Sequence, residues 1–184
     1  MRMLTKLVLP TVALAVVALA PDATAAPAMG RDWVPASQLA PYRAIADRLQ
    51  GVSTQPGSNY GLVIDRAGIS CIADPAGSGA MGYHYANLGL IFDNGGLDAS
   101  TPEAVVYAPT PDGNKQVVAL EYIVPQGDWD AHHASAPELF PGHPFMFTGG
   151  DNRFGLPAFY SQHVWVGRGN PLGNLAMWNP AIHC

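Results

Sequence analysis

The sequence predicts an α+β protein in which one N-terminal helix precedes a mostly antiparallel sheet with long loops. Three observations carry this. Only residues 39–49 show apolar side chains at helical spacing. Five later stretches read as strands. Glycine and proline, 20 and 17 of 184 residues, make about a fifth of the chain, too much for a helical protein and too little for a disordered one.

The helix is read from Leu39, Tyr42, Ile45, Ala46 and Leu49, which share one face at spacings of three and four. Ser37 suits its N-cap, Pro41 its first turn and Gly51 its stop. Tyr60 to Ile64 is a short apolar run that ends in the turn Asp65-Arg66-Ala67-Gly68. Asp74 to Gly79 is a Pro/Gly-rich loop, and Met81 to Asn87 reads as extended because of its aromatics. Asp93-Asn94-Gly95-Gly96 is a turn. Ala104 to Ala108 and Gln116 to Val124 are β-rich runs that flank Pro111-Asp112-Gly113-Asn114, and together they predict a hairpin. Gln126 to Arg153 reads as one long loop, Ala158 to Val166 as a last strand, and Gly167 to Cys184 as a tail without periodicity. The absence of a fixed repeat argues against a solenoid, and no internal linker splits residues 26–184 into two domains.

The first residues read as an export signal. Arg2 and Lys6 precede an uncharged apolar run from Leu7 to Ala20, and Ala23-Thr24-Ala25 has the small-x-small pattern of a cleavage site. That run is short for a membrane span, which needs about 20 residues. No later segment has that length and apolarity, so no membrane span is expected once residues 1–25 are removed. The expected mature chain carries seven basic and thirteen acidic residues. That balance argues against nucleic acid, whose binders carry a basic stripe. A secreted, periplasmic or extracellular location makes Cys71 and Cys184 a disulfide pair, closing a loop across 113 positions. The competing reading is two free thiols, or a metal pair.

Three side chains stand out chemically. In Gln116 to Val124, Glu121 shares a face with Val117, Ala119 and Ile123, while Val118, Leu120, Tyr122 and Val124 share the other. A carboxylate between apolar neighbours needs a partner, a proton or a metal. Pairing with an arginine such as Arg168, or exposure of this face, is the plainer alternative. His84 and His163 also lie inside strand-like stretches. Two histidines and one carboxylate on neighbouring strands form a feasible site for Zn, Fe or Mn. Their separations, 37 and then 42 residues, match no local ligand motif. The alternative is that each histidine is a hydrogen-bonded core residue. Asp130, His132, His133 and His143 in the long loop are a second, weaker metal candidate, and His133 or His143 would serve as an added ligand. No nucleophile elbow or dinucleotide loop is present, so no motif names a reaction.

Several segments occur together in order: Gly79-Ala80-Met81-Gly82-Tyr83-His84-Tyr85-Ala86-Asn87, Pro102-Glu103-Ala104-Val105-Val106-Tyr107, Leu120-Glu121-Tyr122-Ile123-Val124-Pro125, His163-Val164-Trp165-Val166, Asn170-Pro171-Leu172-Gly173 and Trp178-Asn179-Pro180, the last running to Cys184. On these, residues 70–184 resemble a family of small exported bacterial proteins without an assigned biochemical role. The resemblance implies a secreted single domain with the cysteine pair, and it supplies no catalytic residue. Three functions therefore compete: a secreted metal-binding protein, with or without enzymatic activity, using His84, Glu121 and His163; a non-catalytic extracellular module that takes a small ligand or glycan on its long loop and aromatics (Trp129, Trp165, Trp178); and an envelope structural protein.

Overall fold

A computed structural model describes residues 32–184. The export-signal reading of residues 1–25 lies outside the described residues. The architecture is α+β: a seven-stranded antiparallel sheet with three short helices. Helix α1 (Ala40–Arg48) is followed by β1 (Gly61–Leu62), β2 (Cys71–Ala73), β3 (Ala80–Ala86), α2 (Leu88–Ile91), β4 (Ala104–Pro109), β5 (Lys115–Pro125), α3 (Gln126–Asp130), β6 (Met146–Thr148) and β7 (Phe159–Trp165). The sheet order is β1-β3-β4-β5-β7-β6, and β2 pairs with the outer side of β3 next to β1.

Two expectations need correction. The helix is not at the N-terminus of the described chain, because turns over residues 35–39 precede it. Its N-cap is Leu39 without a side-chain cap, not Ser37. Leu39 takes the place because burying its side chain, 3% exposed, outweighs what a serine cap offers. The helix is also not alone. Asn87 caps α2 by accepting a hydrogen bond from the Gly89 N–H at 3.0 Å, and α3 opens the segment read as a continuous loop. The same segment contains β6, paired to β7 at the sheet's edge.

The sheet has two differently used faces. On one, Val105, Tyr107, Leu120, Tyr122, Val124 and Val164 form the main core under α1. The helix's Tyr42 packs edge-on against Tyr122, with ring centroids 6.1 Å apart. The Tyr107 hydroxyl donates to the Leu49 carbonyl at 2.7 Å, tying the helix end to β4. The other face carries two smaller apolar clusters. One gathers Ala80, Val106, Ala108, Ala119, Trp165 and Ile182, and the other Ala86, Ile91, Ala104, Ile123 and Phe159.

Strict alternation fails at one place on β5. The register slips between Val106 and Tyr107, so Val106 faces Ala119 while Tyr107 faces Val117. This bulge moves Val117 into the main core and Val118 into the opposite cluster, reversing the expectation for these two residues. From Ala119 to Val124 the alternation holds as read.

The aperiodic tail is held by specific bonds. The Trp165 indole N–H donates to the Ala176 carbonyl at 2.6 Å, and Ala80 and Asn179 exchange backbone hydrogen bonds. The Asn174 side chain accepts from Val34 N–H at 2.9 Å and donates to the Val34 carbonyl at 2.8 Å. Cys71 and Cys184 are disulfide-bonded with a Cα–Cα distance of 5.5 Å, which fastens the tail to β2. Replacing both cysteines by serine should lower stability by about 2–5 kcal/mol, read as a lower thermal midpoint.

A second clasp joins the turn after β1 to the segment before β7. Asp65 accepts hydrogen bonds from the backbone N–H of Ala67 (2.9 Å) and Ile69 (2.8 Å), and from the Arg153 guanidinium at 2.9 and 2.6 Å. These donors, the Ile69 N–H first and Arg153 after it, hold the Asp65 carboxyl below the usual carboxylate range. A carboxyl depressed in the folded state contributes stability above its unfolded pKa of about 3.9 and loses it as pH falls through the folded value. The wild type should therefore lose thermal stability on acidification below about pH 4 more steeply than Asp65→Asn, whose curve starts lower and runs flatter there.

Candidate metal centre

The polar group sits between the two small clusters on the second sheet face. Antiparallel pairing sets His84 opposite Val106, Ala104 opposite Glu121, and Glu121 opposite His163. His84 on β3, Glu121 on β5 and His163 on β7 therefore project from one face of three strands. All three are buried, at 5%, 7% and 2% exposure. The two imidazole Nε2 atoms lie 3.2 Å apart. Glu121 Oε2 lies 3.4 Å from His84 Nε2, and Oε1 lies 3.8 Å from His163 Nε2. One donor atom from each residue falls within 4.8 Å of the other two.

These spacings suit a cation. Two nitrogen donors bonded at about 2.0–2.1 Å to a tetrahedral ion lie about 3.3 Å apart, and somewhat closer around an octahedral one. Three protein donors with two histidines and one carboxylate also leave coordination positions free for water or another ligand.

Burial sets the charge state of the cluster. Removal from water lowers the His84 pKa to about 4, a shift opposed by the backbone of Gly82, and holds His163 well below the usual imidazole range. The same desolvation raises Glu121 to about 8, opposed by the Ser161 hydroxyl. Both imidazoles are thus neutral, the form that binds metal. A dication at the centre would compensate the carboxylate that the apolar surroundings disfavour.

The backbone of β3 is adapted to hold His84 there. Gly82 has φ +108°, and a Cβ on it would lie 2.5 Å from the Tyr107 carbonyl oxygen. Only glycine lets β3 approach β4 this closely two residues before the histidine. Gly79 plays a similar part toward the tail, where a Cβ would lie 2.3 Å from the Asn179 carbonyl oxygen.

Beside the triad lies a cavity of about 360 Å³. His84, Glu121 and Ser161 contribute to its wall, and most of the remainder is apolar, including Ile91, Ile123, Phe154, Leu156 and Phe159. The Asp65–Arg153 clasp joins the two chain segments that supply Ile64 and Phe154 to this wall.

Other sequence candidates do not converge here. Among the described residues, the basic side chains within 4 Å of the Glu121 carboxyl are the two histidines, not Arg168. Asp130 accepts a hydrogen bond from the Tyr160 hydroxyl at 3.1 Å, and His133 stacks on Trp129 with ring centroids 3.7 Å apart. Neither they nor His132 and His143 belong to the converging donor set. Trp165 is buried and stacks on His163. Sequence reasoning missed Ser161 and the cavity. The period of two on β7 would have put Ser161 on the His163 face, whereas the cavity depends on segments without periodicity.

No protein-family model, no curated protein and no solved structure matches the chain.

Gly82→Ala should lower the thermal midpoint, with a loss of about 1–3 kcal/mol from strain and displacement of β3. Gly61→Ala is the control, because its added Cβ meets nothing within 4 Å and it should leave the midpoint nearly unchanged.

Proposed function

We propose that this is a secreted single-domain protein, residues 26–184, that binds one divalent transition metal ion (Zn, Fe or Mn) through His84, Glu121 and His163. The observation that carries the reading is the meeting of three buried donor side chains from three separate strands, at separations a metal's ligands adopt. A hydrogen-bonded core histidine needs one partner, and it does not call for a second imidazole and a carboxylate at the same point. The disulfide and the lack of a long apolar helix among the described residues are consistent with an exported protein. The ordered motifs support placing the chain with the exported family it resembles.

With a metal bound, the centre supplies a Lewis acid or an activated water. His84 and His163 donate through Nε2, and Glu121 supplies the negative charge. The Trp165 ring lies nearly parallel to that of His163, with centroids 5.7 Å apart. Because His84 and Glu121 reach the cavity wall, a ligand in the cavity borders the centre. That cavity also favours a second reading, a ligand-binding module without catalysis.

Metal analysis after equilibration with Zn²⁺ and gel filtration tests the reading. About one equivalent per chain is expected for the wild type and for Asp130→Ala. His84→Ala and His163→Ala should bind at least about 100-fold more weakly. Zinc should raise the thermal midpoint of the wild type but not of the histidine variants. Equal, negligible metal in wild type and His84→Ala refutes the proposal.

A further inference from the structure

We infer that the cavity beside the triad takes a small apolar monocarboxylate, its carboxylate oxygen on the metal and its hydrocarbon body along the apolar wall. This rests on the metal reading above and adds the class of ligand to it. Three observations carry it.

The first is charge. A dication with one glutamate and two neutral imidazoles bears a net positive charge in a buried setting, where an uncompensated charge is costly. One anionic oxygen donor neutralises it. Among the described residues no lysine or arginine lines the cavity, so on that wall an anion would meet its positive charge at the metal. A ligand with two acidic groups would leave the second unpaired against an apolar wall.

The second is the wall itself. Apart from the triad's two contributors, the polar side chains on it are Ser161 and Thr148. A ligand rich in hydroxyls, such as a sugar, would lose its water without gaining partners. Hydrocarbon loses nothing polar and gains burial. A volume of about 360 Å³ is in the range of small-molecule sites.

The third is the rim. Leu62, Ile64 and Leu88 line the cavity and remain 41%, 59% and 60% exposed. Three large apolar side chains that line one cavity and are left in water fit a ligand with an apolar body. The wall therefore combines the donors His84 and Glu121 with solvent-exposed apolar side chains. An amphiphile with a single acidic head matches that polarity.

The test uses the purified protein loaded with Co²⁺, whose visible absorption bands report coordination. Octanoate should shift the bands and saturate. Across acetate, butyrate, hexanoate and octanoate, affinity should rise by up to about fourfold per methylene. Octylammonium, with the same tail and the opposite charge, should leave the spectrum unchanged. Leu156→Asp and the rim variant Leu88→Asp should take up Co²⁺ like the wild type. Each should bind octanoate at least about tenfold more weakly. Cobalt uptake without a shift by octanoate, or equal affinities for acetate and octanoate, overturns this inference and leaves the metal centre standing. Octanoate binding of equal strength with and without cobalt overturns the assignment of the carboxylate to the metal. Failure to take up cobalt overturns the metal reading and this inference together.

Discussion

Ala104 faces Glu121 across β4 and β5, and Glu121 faces His163 across β5 and β7. The candidate centre depends on this antiparallel register. Side chains alternate between faces, so a slip of one residue on any of the strands would send its donor into the main core under α1. Apolar burial on both sides of the sheet fixes the register. Leu120, Tyr122 and Val164 hold it from one face, and Ala104, Ala119, Ile123 and Trp165 from the other. The three polar residues need no local motif because the sheet supplies the proximity.

Placing these groups inside works against stability. A buried carboxylate and two buried imidazoles lose their hydration, and their mutual contacts recover only part of it. Glu103 illustrates a different use of the same residue type. It is 2% exposed, burial raises its carboxyl to about 8, and its Oε2 accepts the Ile123 N–H at 3.0 Å beyond the last β4–β5 pair. Glu103 closes the end of a ladder and satisfies a backbone donor. Glu121 touches two imidazoles instead, and borders a cavity. Two buried glutamates 18 positions apart thus serve structure and candidate chemistry respectively.

The legible parts of the sequence were those with a short-range period. The spacing of Tyr42, Ile45 and Ala46 marks α1 because a helix repeats every 3.6 residues, and the Pro-Asp-Gly-Asn turn marks the β4–β5 hairpin because few conformations join two adjacent strands. Glu121 was legible as anomalous because its neighbours on one face, Ala119 and Ile123, are apolar. The strand positions of His84 and His163 were legible too, and with them the possibility of convergence. Register was not, since nothing in a single strand states its partner. Strands β2 and β6 span three residues each, too few to display alternation. No residue type marks the bulge at Val117 and Val118, so alternation misassigned both. The cavity wall draws on irregular segments around Ile64 and Phe154, whose positions follow from the Asp65–Arg153 clasp across 88 positions of chain.

The bridge from Cys71 to Cys184 has a mechanical meaning as well. It encloses β2 through β7 in a covalent ring, with α1 and β1 outside. Once the contacts of the segment ahead of residue 71 have given way, tension between that segment and residue 184 passes through the sulfur atoms, and the strands that bear His84, Glu121 and His163 carry no load. Pulling would strip away the helix and the first strand and leave the central ladder shielded. Reduction would put the same ladder in series with the applied force.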